Sequence, residues 1–350
     1  LAPTTEIFSS ARSAWYPYVL FCALVLVGEL LFLLAGPWGA AAGFALAAVA
    51  LVSVLLELAF RPNPLRWLLP TGRSQNVWVR LEPSGPVKVL VVLLGHLDTH
   101  RTPLVFSTDQ WLRLYSVLVP VGLISVVALI VFFALGAIAP RWEWQMASLL
   151  LSLDILGIFL LTVQADLSPY TAGANDNASG AAIVLSLATR LKQNPLAHTA
   201  VWAVNSGCEE VGCYGAAAFA QAHKSELGNP IWVAIDGVGG QGASPSYLAT
   251  ETFLLTVRSD PALTALFEDI SARRPELDAH STTMRGAYTE GAIGARYGFR
   301  VFSVIGHRRD GHLPEWHRPT DTVENVDASV MERTESLLWE LLQEIDRGAE

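Results

Sequence analysis

The chain has 350 residues, of which 52% are hydrophobic and only 16% charged, with a formal net charge of −9. Soluble domains average about 25% charged residues, so this chain is too apolar for an ordinary soluble protein, and the same apolar content excludes disorder. The acidic balance excludes a nucleic-acid binder, which needs a basic face. Three cysteines, Cys22, Cys208 and Cys213, cannot staple a chain of this length.

In chain order, the apolar residues come first in blocks. Residues 14–28 carry no charge, and after Glu29 neither do residues 30–56. Leu114 to Pro140 is a third charge-free block, and Met146 to Val163 a fourth, broken only by Asp154. A membrane-spanning helix needs about 20 mostly apolar residues, which predicts four spans near 15–36, 38–59, 114–139 and 146–163. Gly36-Pro37-Trp38-Gly39 reads as the tight turn of a hairpin. Trp15, Tyr16, Trp38, Trp111, Trp142 and Trp144 lie at the span ends, where amphipathic rings favour the membrane interface. A signal peptide would account for only one such segment. Asp154 is costly in lipid unless it faces protein or titrates.

Two hairpins put the N-terminus and the rest of the chain on one side of a bilayer. Arg12, Arg61, Arg66, Arg73, Arg101 and Arg113 flank the spans on that side and Arg141 alone on the other, and positive flanks favour the cytoplasm. The expectation is a multi-pass protein of a bacterial plasma membrane, its polar part cytoplasmic and the lipid bilayer its partner.

The remainder, residues 74–100 and 164–350, fits one domain of ordinary size. Strand-like runs occur at Val77–Leu81, Val87–Leu94, Thr199–Val204, Ile231–Ile235, Phe253–Val257 and Arg300–Val304. Helical patterns fall between them at Ala178–Lys192, Tyr214–Lys224, Pro261–Arg273 and Ala328–Ile345. Continuous apolar strands alternating with helices predict an α/β sheet covered on both faces. The domain boundaries follow: an N-terminal hairpin over 1–73, and an α/β domain over 74–350 interrupted by a second hairpin over 101–165.

Ligands of open α/β sheets bind beyond the carboxyl ends of the strands, and polar groups gather there. The second run ends in Gly95-His96-Leu97-Asp98, and Gly173-Ala174-Asn175-Asp176-Asn177 precedes a helix. Asn205-Ser206-Gly207-Cys208-Glu209-Glu210 follows the third run, and Asp236 follows the fourth. His307, His312 and His317, with Asp321 beyond, follow the last. His96 and Asp98, two apart, point to one side of an extended chain, which suits a metal-bound imidazole steadied by a carboxylate. Singly these are weak signals, since an Asp before a helix is usually an N-cap. Together they make an oxygen and nitrogen set for one or two Zn²⁺, with a carboxylate left over as a base.

At these residues the chain resembles the double-zinc exopeptidases typified by bacterial secreted aminopeptidases, whose relatives include glutaminyl cyclases and glutamate carboxypeptidases. The matching stretches are Ser74-Gln75-Asn76-Val77, Gly95-His96-Leu97-Asp98, Gly173 to Gly180, Glu209-Glu210-Val211-Gly212, Asp236 and His317 to Thr322. The resemblance implies a three-layer α/β/α sandwich around a mixed, mostly parallel sheet, here with about four transmembrane helices. It implies that His96 and Asp236 hold one zinc and Glu210 and His317 the other, with Asp176 bridging. Glu209 is then the general base and Asp98 the support of His96. Two Zn²⁺ per chain are expected, although related sites accept cobalt or manganese. The expected activity is a metallopeptidase, an aminopeptidase removing N-terminal residues from peptides, and Asp at 236 resembles that branch. The alternatives are an aminoacyl cyclotransferase like the glutaminyl cyclases, which use a single zinc, and a non-catalytic membrane scaffold, whose relatives usually lose ligands.

Two features depart from the family pattern. Asp98 and Asp176 lie 78 positions apart, where the family keeps them close, and the excess holds the second hairpin. A metal site near the bilayer surface is expected, with two readings open: substrates that are membrane-associated or hydrophobic peptides, or a hairpin that only anchors. Trp316 also stands where several relatives have Tyr beside the last ligand, leaving Trp316, His312 and His307 as candidates to contact substrate or oxyanion. Cys208 and Cys213 flank the glutamate pair, with two readings open: a disulfide across a tight loop, or thiols, which a cytoplasmic location favours.

Overall fold

A computed structural model of the chain describes residues 1–349. They divide into an apolar unit, residues 11–70 and 101–169, and a sheet unit, residues 1–10, 71–100 and those from 170 onward. Residues 1–10 thus belong with the sheet, not with the first hairpin.

Apolar segments must pair their own backbone groups when no water is present, and those of the apolar unit are helical: α1 (Tyr16–Leu58), α2 (Asp109–Ile138) and α3 (Trp142–Leu167). All three are long and apolar enough to cross a membrane. Helix α1 is two helices joined at Gly36 (φ 55°, ψ −130°), a conformation that costs glycine least, with Pro37 next. Its legs lie against each other. A Cβ added at Gly28 would come 2.9 Å from the Cα of Gly43. The predicted spans 15–36 and 38–59 fall on these legs, 114–139 on α2 and 146–163 on α3. A leg of about 20 residues is roughly 30 Å long.

Between the helices pack Val25, Phe32, Ala47, Leu129, Phe133 and Ile155, with Phe32 edge-on to Phe133 at 5.8 Å. Leu34, Ile124, Leu150, Leu153 and Leu160 stay exposed, an apolar exterior suited to lipid. The carboxyls inside the helices face protein. Ser125 Oγ donates to Asp154 Oδ2 at 2.8 Å, and Ser148 Oγ donates to Glu29 Oε1 at 3.1 Å.

In the sheet unit the elements run β1 (Thr4–Ala11), β2 (Thr71–Leu81), β3 (Val89–His96), α4 (Gly180–Gln193), β4 (Thr199–Ser206), α5 (Tyr214–Ala222), α6 (Lys224–Leu227), β5 (Ile231–Asp236), β6 (Ser244–Thr252), β7 (Thr256–Arg258), α7 (Pro261–Arg273), β8 (His280–Arg285), α8 (Gly291–Tyr297), β9 (Arg300–His307) and α9 (Ala328–Arg347). One mixed sheet takes the order β1-β2-β4-β3-β5-β9-β6-β7, with β8 beside β6. Its centre, β4-β3-β5-β9, is parallel, while β2 on β4 and β6 on β9 are antiparallel. The register sets His96 against Ser206 and Asp236 against Ile305, so the carboxyl ends of four neighbouring strands share one edge.

Alternate residues of these strands serve opposite faces. Leu93, Val201, Val233 and Phe302 meet Val184 and Leu187 of α4, Leu263 and Phe267 of α7, and Leu338 and Leu341 of α9. On the other face Trp202 and Trp232 pack on Phe219 of α5. Helix α8 passes close to Trp232, and a Cβ at Gly294 would fall 2.5 Å from its ring. Both faces are covered, which is why the strands read as unbroken apolar runs. The fold is the expected three-layer α/β/α arrangement. Helix α7 starts on Asp260, which accepts from the amides of Ala262 and Leu263, with Pro261 first in the helix.

One predicted strand is misplaced. Residues 253–255 are the bend between β6 and β7, so Phe253–Val257 straddles a turn. The real strand, Ser-Pro-Ser-Tyr-Leu-Ala-Thr-Glu-Thr, carries few β-branched apolar residues and a proline near its start, a position strands tolerate.

Candidate metal centre

The site grows from the carboxyl edge of the parallel strands. His96 is the last residue of β3 and Asp236 the last of β5. Glu209 and Glu210 sit in the loop after β4, Asp176 in the irregular turn Ala174–Ser179 before α4, and His317 in the loop after β9 at φ 55°.

The asparagine-rich turn is sewn onto the end of β5. Asn177 Oδ1 accepts from the amides of Gly180 and Gly237, and its amide group donates to Ile235 O at 2.9 Å. Asn175 Oδ1 accepts from Gly239 N, and Asn175 Nδ2 donates to Pro314 O. Asp321, fully buried, accepts from the amides of Asn175 and Asp176 at 2.6 and 3.1 Å. Asp176 is thereby fixed between β3 and the loop of His317. A second set of bonds holds the glutamate loop. Asn76 on β2 donates to Gly215 O and accepts from Gly207 N.

The carboxylate of Asp176 divides between two imidazoles. Its Oδ1 lies 3.3 Å from His96 Nε2 and its Oδ2 3.4 Å from His317 Nε2. His96 Nε2 is also 3.5 Å from Asp236 Oδ1, and His317 Nε2 is 3.1 Å from Glu210 Oε2. The structure therefore brings together all five residues expected as ligands. Donors around a tetrahedral ion with bonds of about 2.0–2.1 Å lie about 3.3–3.4 Å apart, close to these spacings. Glu210 Oε1 is buried without a hydrogen-bond partner, a costly state for a carboxylate that a cation relieves. On both counts the residues fit zinc. Two groups of three donors, His96 with Asp176 and Glu210, and His100 with Glu210 and His317, each lie within 4.8 Å of one another.

The electrostatics follow from crowding acids in a buried place. Burial, reinforced by Glu210, Asp236 and Glu290, holds Glu209 protonated well above the usual carboxylate range. Burial and Asp176 do the same for Glu210. Burial works against Asp176 too, but the hydrogen bond from His96 and the charges of His317 and His96 hold it below its ordinary value. His317 is lowered to about 4 by burial. Glu290, at the start of α8, is pushed up to about 7, chiefly by burial. It accepts from Ser206 Oγ at 2.5 Å.

Asp98 lies beside His96 as expected and has a second part as well. His96 Nδ1 lies 3.0 Å from the main-chain oxygen of Asp98 and 3.7 Å from its carboxylate. The carboxylate instead accepts from the amides of Glu209 and Glu210 at 2.9 and 3.1 Å. Asp98 thus sets the glutamate pair as well as bordering His96. Trp316 packs on the ring of His317 at 4.7 Å. His312 closes a turn with Arg308, and His307 is buried with its Nδ1 2.7 Å from Thr282 Oγ1. Cys208 and Cys213 are free thiols, and Cys213 Sγ donates to Glu209 Oε1 at 3.3 Å. Sequence reasoning missed Glu290, and it missed His100, whose signal was a second histidine four positions after His96.

The sequence profile of Peptidase family M28 matches residues 153–342. No curated protein sequence matches the chain. Among solved structures the chain is similar to the zinc aminopeptidase of Bacillus subtilis at 16% identity and TM-score 0.50, over 79% of this chain and 52% of that one. It spans about half the length of that aminopeptidase. It is also similar to the glutaminyl cyclase of an Acidobacteriales bacterium at 14% identity and TM-score 0.52, over 97% of this chain and 96% of the other. The Fimbriiglobus ruber glutaminyl cyclase matches at 17% identity and TM-score 0.50, over 78% and 76%. At these identities the likeness is one of fold.

Proposed function

Because the chain belongs to peptidase family M28, we propose that it is a zinc aminopeptidase anchored in a lipid bilayer by its apolar helices, acting on peptides with a free N-terminus. The observation that carries this reading is the shared carboxylate of Asp176, one oxygen toward His96 and one toward His317, which suits a pair of ions.

His96, Asp176 and Asp236 would hold one zinc, and Asp176, Glu210 and His317 the other. When bound, such a pair supplies Lewis acidity, lowering the pKa of water and polarising a carbonyl. The rest falls to the chain. Glu209 lies among Glu210, Asp236 and Glu290 in a buried site that raises its proton affinity, so it can take a proton from the attacking water and return it to the leaving amine. Asp98 holds the glutamate loop by two amides, which keeps Glu209 and Glu210 in fixed relation. Cys213 donates to one oxygen of Glu209 and leaves the other to exchange protons. A substrate ammonium group would find the acidic lining of Asp176 and Asp236 favourable, which suits a free N-terminus.

Three helices of the required length and apolarity support membrane anchoring, and the arginine distribution supports a cytoplasmic catalytic unit. The test of the assigned base is Glu209→Gln, which keeps the shape and removes proton transfer. Zinc content should be unchanged while peptide hydrolysis falls by about 10²–10⁴-fold. Undiminished turnover in the zinc-loaded variant refutes the assignment.

A further inference from the structure

We propose that Glu251 is a positioning residue for the glutamate pair, holding the end of β4 through Thr289 and Glu290; this deepens the aminopeptidase reading and rests on it. Glu251 lies on β6 and is 2% exposed. A carboxylate so buried is costly unless it is hydrogen-bonded, and this one has a full set of donors. Thr289 N donates to its Oε2 at 2.7 Å, Thr289 Oγ1 to both oxygens at 3.1 Å, and Ser303 Oγ to Oε1 at 2.5 Å. Ser303 belongs to β9 and Thr289 to the turn ahead of α8. The carboxylate of Glu251 thus ties that turn to two strands.

The turn is closely packed. Thr289 Oγ1 accepts from Gly291 N at 3.1 Å. A Cβ at Gly291 would fall 2.4 Å from Ser303 Oγ, so a side chain there would push Ser303 away from Glu251. Between Thr289 and Gly291 stands Glu290. Its main-chain oxygen accepts from Trp232 Nε1 on β5 at 3.0 Å. Its side chain leaves the turn toward β4, where Ser206 Oγ donates to Oε1 at 2.5 Å. Ser206 is the last residue of β4, opposite His96 in the register, and Gly207-Cys208-Glu209-Glu210 follow it directly. Ser206, Thr289, Glu290 and Ser303 are each 3% exposed or less, so water does not compete for these bonds. The glutamate loop is therefore held twice. Asp98 takes its amides, and the line Glu251, Thr289, Glu290, Ser206 fixes its root. The charge of Glu290 also acts on Glu209, so the supported turn and the base share one site. A misplacement of about 1 Å caused far from the chemistry can cost roughly 10²-fold in rate, which is how a carboxylate on β6 bears on turnover.

The test compares Thr289→Val, which removes the hydroxyl at nearly constant shape, with Thr289→Ser, which keeps it. Glu251→Gln puts an amino group at one of two oxygens that both accept here, and it is the second probe where Thr289→Val does not fold. Amide hydrogen exchange on the metal-free full chain in detergent reads the linkage without catalysis. In either disrupted variant, residues 206–210 should exchange roughly 3- to 10-fold faster, the opening expected from one lost buried hydrogen bond. In the zinc-loaded protein, kcat on a free-amine peptide should fall about 10-fold with KM unchanged. Thr289→Ser should recover most of both losses relative to Thr289→Val. Faster exchange confined to residues 287–294, or wild-type kcat in a folded disrupted variant, overturns the proposal and leaves the aminopeptidase reading intact. Exchange that spreads to residues 206–210 in a protein that hydrolyses no peptide supports the linkage and counts against that reading.

Discussion

Glu290 carries a stability cost that can be measured directly. The residue is 3% exposed and its pKa rises from 4.5 to about 7, mainly through burial, with Asp98 and Asp236 adding to the rise while His96 and Ser206 oppose it. At about 1.4 kcal/mol per pH unit, the rise corresponds to about 3 kcal/mol. The sign follows from proton counting. Below about pH 4.5 the group is neutral in both states and costs nothing. Between that pH and about 7 the unfolded chain has released its proton while the folded protein keeps it, so stability falls as pH rises, and above 7 the loss is constant. Glu290→Gln mimics the neutral form and still accepts from Ser206. In the metal-free protein, the melting temperatures of the two forms should coincide near pH 4 and separate through the interval. Above pH 7 the variant should melt higher by roughly 6–12 °C, taking 2–4 °C per kcal/mol. Bound cations nearby favour the carboxylate, so added zinc should shrink the gap. A difference that stays constant from pH 4 to pH 8 refutes the reasoning.

Two further outcomes follow from packing and hydrogen bonding. Asp98→Asn replaces an anion that serves two amides with a group that can serve one. The lost charge-assisted bond is worth about 1.5–3 kcal/mol, so the variant should unfold at a lower temperature, and an unchanged thermal transition would show that the glutamate loop does not depend on it. Gly28→Val places side-chain atoms where the backbone of Gly43 passes. It should destabilise the apolar unit by about 1–3 kcal/mol, read as an earlier thermal transition in detergent, and an unchanged transition would mean that the legs of α1 do not pack as described.

What could be read from the sequence depended on how each residue is used. Strands β3, β4, β5 and β9 stood out because both of their faces are covered, leaving unbroken apolar runs that end in His96, Asn205-Ser206, Asp236 and His307. The fold-back of α1 was visible in Gly36-Pro37, since one residue has to adopt positive φ and the next cannot continue a helix hydrogen bond. Strands β6 and β8 were hidden by Ser, Thr and Pro. Strand β6 is largely buried, but its buried residues include Ser244, Ser246 and Glu251, which do not read as an apolar run. Gly294 of the short helix α8 marks where that helix passes close to Trp232. The division of labour at Asp98 depends on amides of a loop 111 positions away, and that loop's conformation leaves no trace in local sequence. His100 offered only the spacing of a second histidine four positions after His96, and Glu290 became visible only when the fold placed it beside Ser206.

The central claim, a two-ion centre that hydrolyses peptides from a free N-terminus, is tested most directly by product analysis. The purified, zinc-loaded full chain is given peptides of one sequence with a free amine, a blocked amine or an N-terminal glutamine, and the products are identified by mass. Single residues should be released from free-amine peptides alone. Cyclisation of the glutamine peptide with loss of ammonia and no chain cleavage, or no reaction with any of the three, would contradict it.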